Sequence, residues 1–403
     1  MTMLTAMQGR HGAAGARDVA RIAGVHVLHS VGAAESIWRD LEGDAGLLTP
    51  FQRYDFLAAW QTNVGRREGY TPHIVVAHDG AGLPLALFPL VRRTRAGVHF
   101  ASFMGDKHAT FNMPLWRKSF AQSATHADLA ALTQALAAKA EIDLLAFERQ
   151  PARWCELANP MALLAHQDTV NECPLKILTP GAGAAENISN SFRRRLKGKE
   201  RKLQALPGYR YLLAREHDDI TRLLDAFFIV KPQHMAAQKL PNVFADPGVP
   251  EFIRAASHAR VNGGYAIEIH ALECDNELLA LFAGVADGHR FSMMFNTYTM
   301  SDYGRHSPGL ILLRYIVDHY AAAGYTSLDL GVGAAGYKRL FCKDDEHLFD
   351  SFIPLSAAGT VAAAILSTQG RAKRFVKRSP FLMKAAQSAR GLFVRKNSDD
   401  GHE

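Results

Sequence analysis

Two rhythms of apolar and polar positions run along this chain, one of period two and one of period 3.6, and their order is played twice. In the first half, alternating or wholly apolar runs predict strands at 25–29, 73–77, 84–92, 98–103 and 142–147. Helical spacing predicts helices at 34–42, 52–61 and 126–140. A stretch punctuated by Pro151, Pro160, Pro174 and Pro180 has little periodicity and reads as linker or inter-domain packing. The second half predicts helices at 188–205, 218–237, 250–261 and 308–323. Its strands are expected at 209–214, 265–272, 277–285, 290–298 and 326–330. The class implied is α/β, with mixed sheets flanked by helices.

The halves also share letters. Leu85-Ala-Leu-Phe-Pro-Leu-Val91 aligns with Leu279-Ala-Leu-Phe-Ala-Gly-Val285, identical at five of seven positions. Each is followed by an aromatic-containing strand, an alanine-rich helix and a strand with one acid, Asp143 or Asp329. The shared order points to a duplicated domain. The expected organisation is a mobile tail over 1–23, one domain over 24–180, a second over 181–357 and a basic tail over 358–403.

Composition narrows the classes. At 403 residues the chain exceeds what one small core holds. Four cysteines are scattered without a CxxC pair, and no histidines cluster in sequence, so neither a disulfide framework nor a metal site is expected. No apolar run approaches the length of a spanning helix, so a soluble or at most peripheral chain is expected, and the scattered cysteines fit the reducing cytoplasm. The net charge is +7, yet nine bases without an acid lie between Thr368 and Asn397, so the remainder carries −2. The body therefore lacks the charge of a nucleic-acid binder. The tail interleaves those bases with Phe375, Phe381, Leu382, Met383, Leu392 and Phe393. That mixture suits the anionic inner face of a membrane, at about 1 kcal/mol per base, or a disordered basic tail.

The chemistry concentrates in "HSPGLILLRYIVDHYAAAGYTSLDLGVGAAGYKRLF", residues 306–341. Ser307 is positioned to cap a helix whose first residue is Pro308, and Gly309 lets a ligand approach the backbone. A helix start with free amides is an anion site, suited to a diphosphate; the bland alternative is a good cap and nothing more. Arg314 and Asp318 are spaced to pair on the wet face, and Gly324 ends the helix. The matching turn of the first half offers Thr125 as a cap but no glycine.

The run "NTYTMSDYGRHSPGLILLRYIVDHYAAAGYTSLDLGVGAAGYKRLF", preceded by "SFRRRLKGKERKL", resembles the CelD/BcsL-type acetyltransferases of bacterial cellulose and exopolysaccharide synthesis. These belong to the GNAT superfamily and are similar to the Fem-type peptidyltransferases, which carry two such folds in tandem. Of the usual GNAT pattern Arg/Gln-x-x-Gly-x-Gly/Ala, Arg305 and Gly309 remain. The resemblance implies tandem GNAT-like domains, the first without cofactor, and direct acyl transfer from acetyl-CoA or another acyl-CoA. It implies that the strand 290–298 lies along the thioester arm, with Arg305, Ser307, Pro308, Gly309 and Leu310 at the diphosphate. The implied acceptor is a polysaccharide or envelope precursor.

Each remaining candidate has a bland alternative. Lys338, after the glycine-rich turn, is read as a mobile cation that swings over the ligand to contact phosphate or stabilise transition-state charge, or as a surface lysine. Tyr337 is a thiol-protonating acid or aromatic packing. Asp329 points into a cleft or is a buried structural acid. Asn296, Tyr298 and Tyr303 line an acceptor pocket or simply end a strand. His234 is the histidine placed to act as general base, against the commoner solvated helix histidine. The helix with Arg193, Arg194, Arg195, Lys197, Lys199, Arg201 and Lys202 is a solvated face, a contact for a cofactor phosphate or polyanionic acceptor, or a track for charged tRNA as in Fem-type transfer. A degenerate scaffold without activity is the non-enzymatic alternative.

Overall fold

The computed structural model describes residues 20–182, 184–261, 263–275, 277–333 and 335–379, which form two large mixed sheets with helices packed on them. The first sheet runs Gly24–Leu28, Thr71–His78, Pro84–Arg95, Val98–Phe103, Leu144–Pro151, Leu348–Pro354, Gln167–Asp168. The second runs Arg210–Leu213, Glu268–Cys274, Glu277–Ala286, Arg290–Tyr298, Ser327–Asp329, Cys173–Ile177, Asp344–Glu346. Each sheet is antiparallel except for one parallel pair: Phe100 faces Leu144 in the first and Arg290 faces Ser327 in the second. A parallel pair needs a crossover, and a helix supplies it each time, His126–Lys139 and then Pro308–Ala322. The repeated order of the sequence is thus a repeated topology.

The expected boundaries at 180 and 357 fail because the lobes exchange strands. Cys173–Ile177, read as linker, pairs antiparallel with Ser327–Asp329 in the second sheet. Its Pro174 is tolerated because its carbonyl accepts from the Leu330 amide at 3.2 Å and it is asked for no donor. Leu348–Pro354 crosses the other way and pairs with Leu144–Pro151.

Nor is the chain after 357 a free tail. Ala357–Arg378 is a helix capped by Ser356, whose hydroxyl also donates to Asp143 at 2.5 Å. A Cβ on Gly359 would lie 1.8 Å from the Asp143 carbonyl oxygen, so glycine there lets the helix press onto the strand. Three of the supposed membrane bases are spent on the protein: Arg374 pairs with Asp168 at 2.6 Å, Lys377 donates to Asn171 at 2.7 Å and Arg371 to Gln167 at 3.3 Å. The rest of that basic run, from Phe381 on, and most of the expected N-terminal tail lie outside the described residues.

One apolar core underlies the first sheet and continues through Phe227, Phe252 and Ile253 of the second lobe. A second core joins Leu196 and Leu203 of the basic helix Asn190–Leu203 to Leu312 and Ile316 of the crossover helix. Burial of these apolar faces is what locks both helices to the second sheet.

Candidate active site

The site grows from a break in the second sheet. Arg290–Tyr298 pairs with Ser327–Asp329 only as far as Ser292 opposite Asp329. The short strand then turns away through Gly331 and Gly333, at φ 72° and 110°. A Cβ on Gly331 would stand 3.0 Å from the Met293 carbonyl oxygen, so the turn needs glycine for contact as well as for conformation. The long strand runs on to Tyr298, still paired with Glu277–Ala286 on its other edge, with a register slip near Gly284. Two parallel strands therefore part company, and a gap opens between them.

The crossover helix starts at the mouth of that gap. Ser307 sits in the left-handed region, φ 56° and ψ 52°, and its hydroxyl does not cap the helix. It accepts instead from Lys199 Nζ of the basic helix, at 2.7 Å. The Ser307 amide donates to Gly304 and the Leu310 amide to Ser307, while Pro308 has none. Among the described residues this leaves the Gly309 amide without a backbone acceptor. A Cβ at Gly309 would come no closer than 3.9 Å to Phe282 and Tyr298, so the space beside it is open. Desolvation, with Arg305, Lys202 and Lys199, pushes the His306 pKa below its usual value, so three bases surround this helix tip. It is electropositive by both dipole and side chains.

The equivalent tip in the first lobe is closed. Thr125 and the buried Asp128 form a capping box, and Arg21 binds the same carboxylate at 2.8 Å. An anion there would meet Asp128 rather than free amides.

Between the parted strands and the helix Ala237 ends lies a cavity of about 510 Å³, within the usual size of small-molecule sites. Its polar lining converges from four elements: Lys231, His234, Asn296, Tyr298, Gly309 and Tyr337, with Met235, Leu240 and Phe282 supplying apolar wall. Asn296 Nδ2 donates to the Tyr337 hydroxyl oxygen at 3.1 Å, so the phenolic proton is turned elsewhere, toward the Met293 sulfur at 4.0 Å, a weak acceptor. Burial raises the Tyr337 pKa, so that proton is held at neutral pH. His234 is buried, with Nδ1 3.1 Å from the Thr297 hydroxyl and its ring 4.0 Å from that of Tyr298. Burial, then Lys231, lowers its pKa, so the imidazole is neutral and basic. Lys231 Nζ donates to the Asn296 carbonyl at 2.8 Å, and burial lowers its pKa too.

Several expected site residues stand elsewhere. Lys338 is buried, and its ammonium donates to the Gly331 and Val332 carbonyls at 2.8 and 3.2 Å. It clamps the glycine turn and does not swing. Asp329 is fully buried beneath the gap, accepting from Ser292 Oγ at 2.5 Å and the Gly331 amide at 3.0 Å; burial raises its pKa to about 6. It positions the turn and does not line the cavity. Arg305 is exposed at the rim, and Tyr303 packs against the second core. Arg314 does not pair with Asp318; it binds the buried Glu200 of the basic helix at 2.8 Å.

The sequence did not single out Lys231, Met235 or Gln238. A usable signal was their spacing around His234, at i−3, i+1 and i+4 on one helix.

Residues 190–339 match the Acetyltransferase (GNAT) domain family. No curated protein matches the sequence. Among solved structures, the C-terminal domain of an Agrobacterium fabrum protein described as a lysylphosphatidylglycerol synthetase superposes with a TM-score of 0.52 at 13% identity, over 84% of this chain and 97% of that one. A conserved protein of unknown function from Bacteroides thetaiotaomicron VPI-5482 superposes with a TM-score of 0.50 at 11% identity, over 82% of this chain and 100% of that one. A structure of FemX gives 0.49 at 8% identity, over 76% and 97%. The likeness is one of fold, and the fold is a tandem, GNAT-like arrangement of mixed α/β lobes.

Proposed function

We propose that this chain is an acyl-CoA-dependent acyltransferase, with acetyl-CoA as donor and a hydroxyl of a cell-surface polysaccharide or envelope precursor as acceptor. The observation that carries the reading is the junction of an uncapped, base-ringed helix tip with a gap between parted parallel strands. The Gly309 amide, Lys199 and Arg305 receive the diphosphate. The thioester arm then lies along the free edge of the Arg290–Tyr298 strand.

The reaction needs two proton movements. His234 takes the proton of the acceptor hydroxyl as its oxygen attacks the thioester carbon. When the C–S bond breaks, Tyr337 gives its proton to the leaving sulfur, with Asn296 holding the phenol in place. Lys231 holds the Asn296 segment of the strand still. Asp329 and Lys338 act at one remove, by fixing the turn that bounds the gap. The acceptor class rests on the CelD/BcsL-type resemblance, and the same reading puts the chain in the cytoplasm at the inner face of the membrane.

A second reading takes the donor to be charged tRNA. It is favoured by the exposed bases Arg194, Arg195, Lys197, Arg201 and Lys202 on one helix, and by the likeness in fold to the protein described as a lysylphosphatidylglycerol synthetase. Thiol release from acetyl-CoA in the presence of soluble polysaccharide fragments separates the two. Release that depends on the fragments is expected. Its absence, with aminoacyl transfer from charged tRNA instead, would displace the first reading.

A further inference from the structure

The first lobe carries a cluster that its sequence spacing hides. Leu28 pairs with Ile74 in the antiparallel ladder, which sets His29, just beyond its strand, opposite His73. Residues opposed in this way share a face. The crossover helix His126–Lys139 ends at Ala140, whose left-handed φ of 54° turns Glu141 toward the same face. Glu141 Oε2 is 3.7 Å from His29 Nε2 and 3.7 Å from His73 Nδ1. The three ligand atoms all lie within 4.8 Å of one another.

Those distances are too long for hydrogen bonds, and the consequence falls on His73. Its side chain is 2% exposed, and its Nδ1 has no hydrogen-bond partner among the described residues. A buried nitrogen aimed at a carboxylate that it does not reach is costly unless something stands between them. A tetrahedral centre with bonds of about 2.0–2.1 Å has an edge of about 3.3 Å, so small movements of the exposed His29 and half-buried Glu141 side chains close the set.

We propose that His29, His73 and Glu141 bind one divalent late first-row cation, Zn²⁺ by preference, leaving its fourth position to solvent. Two imidazoles and a carboxylate are the donor set this metal takes. None of the three lines the acyl cavity, so the site is separate from the transfer chemistry. Bound metal pins the first strand, the Thr71–His78 strand and the end of the crossover helix together.

The test uses the full chain, free of any histidine tag and stripped with chelator, titrated with Co²⁺ and followed by its visible ligand-field absorption. One equivalent is expected to bind and to be displaced by Zn²⁺. His29→Ala and Glu141→Gln should each weaken binding at least tenfold, the lower end of the roughly 10–100-fold that even an outer partner of a metal site costs. His26→Ala, which removes one ring of the neighbouring stacked pair His26–His78, should leave it unchanged. His73 is kept intact because it is part of the packed interior. Zn²⁺ should also raise the thermal midpoint of the wild type but not of His29→Ala. Failure to bind Co²⁺, or binding lost in His26→Ala and kept in His29→Ala, overturns the assignment.

Discussion

His234→Gln is expected to lower acyl transfer by about 10²–10⁴-fold while leaving acetyl-CoA affinity unchanged. The imidazole lies in the cavity wall, its Nδ1 engaged with Thr297, and no described residue bonds its Nε2. Glutamine retains volume and a polar end but cannot take a proton. Burial and Lys231 hold the histidine pKa below the usual 6.5, so the base form prevails at neutrality. The wild-type rate should therefore be flat across pH 7 and fall only as acid protonates the ring, below the ordinary imidazole range. In the variant that acid limb should vanish with the rate. Thiol release measured against pH, beside calorimetric acetyl-CoA affinity, reads both effects. An unchanged acid limb in His234→Gln would remove the histidine from the mechanism.

Glu200→Ala is expected to destabilise the fold by about 3 kcal/mol or more. Glu200 is the lone acid within the run of bases from Arg193 to Lys202, and it is 3% exposed. Its carboxylate accepts from Arg314 at 2.8 and 2.9 Å, from the Tyr315 hydroxyl at 2.5 Å and from the Tyr209 hydroxyl at 3.1 Å. Removing it strands a guanidinium that is only 16% exposed. Replacing both partners in Glu200→Leu/Arg314→Leu should return much of the loss, because no charge is then left unpaired. The same helix carries Lys199 to Ser307, so the single variant should also bind acetyl-CoA more weakly at a temperature where it is folded. Urea denaturation of the three proteins decides the point; a double variant no more stable than Glu200→Ala contradicts it.

The elements were legible in the sequence because their periodicities are clean. The strand 290–298 and the helix starting at Pro308 stand where apolar spacing, proline and glycine place them. The closed tip of the first lobe was half visible, in Thr125 without a following glycine. What could not be read was partnership. Cys173–Ile177 hid among prolines, and nothing local in Leu348–Pro354 tells it to join the other lobe's sheet. The glycines before Lys338 suggest mobility, whereas Gly331 is there to meet the Met293 carbonyl and the Lys338 ammonium holds the turn by its own carbonyls. Arg314 had a partner at the right helical spacing but found Glu200, more than a hundred residues away. His29, His73 and Glu141 are likewise far apart in sequence, and only strand register unites them.

Calorimetric titration of acetyl-CoA into the wild type and Gly309→Glu tests the central claim most directly. The space beside Gly309 admits a side chain without a clash closer than 3.9 Å at Cβ, so the variant should fold. Its carboxylate would occupy the helix tip in place of the diphosphate. Binding by the wild type and none by the variant is the predicted result; equal binding by both, or binding by neither, contradicts it.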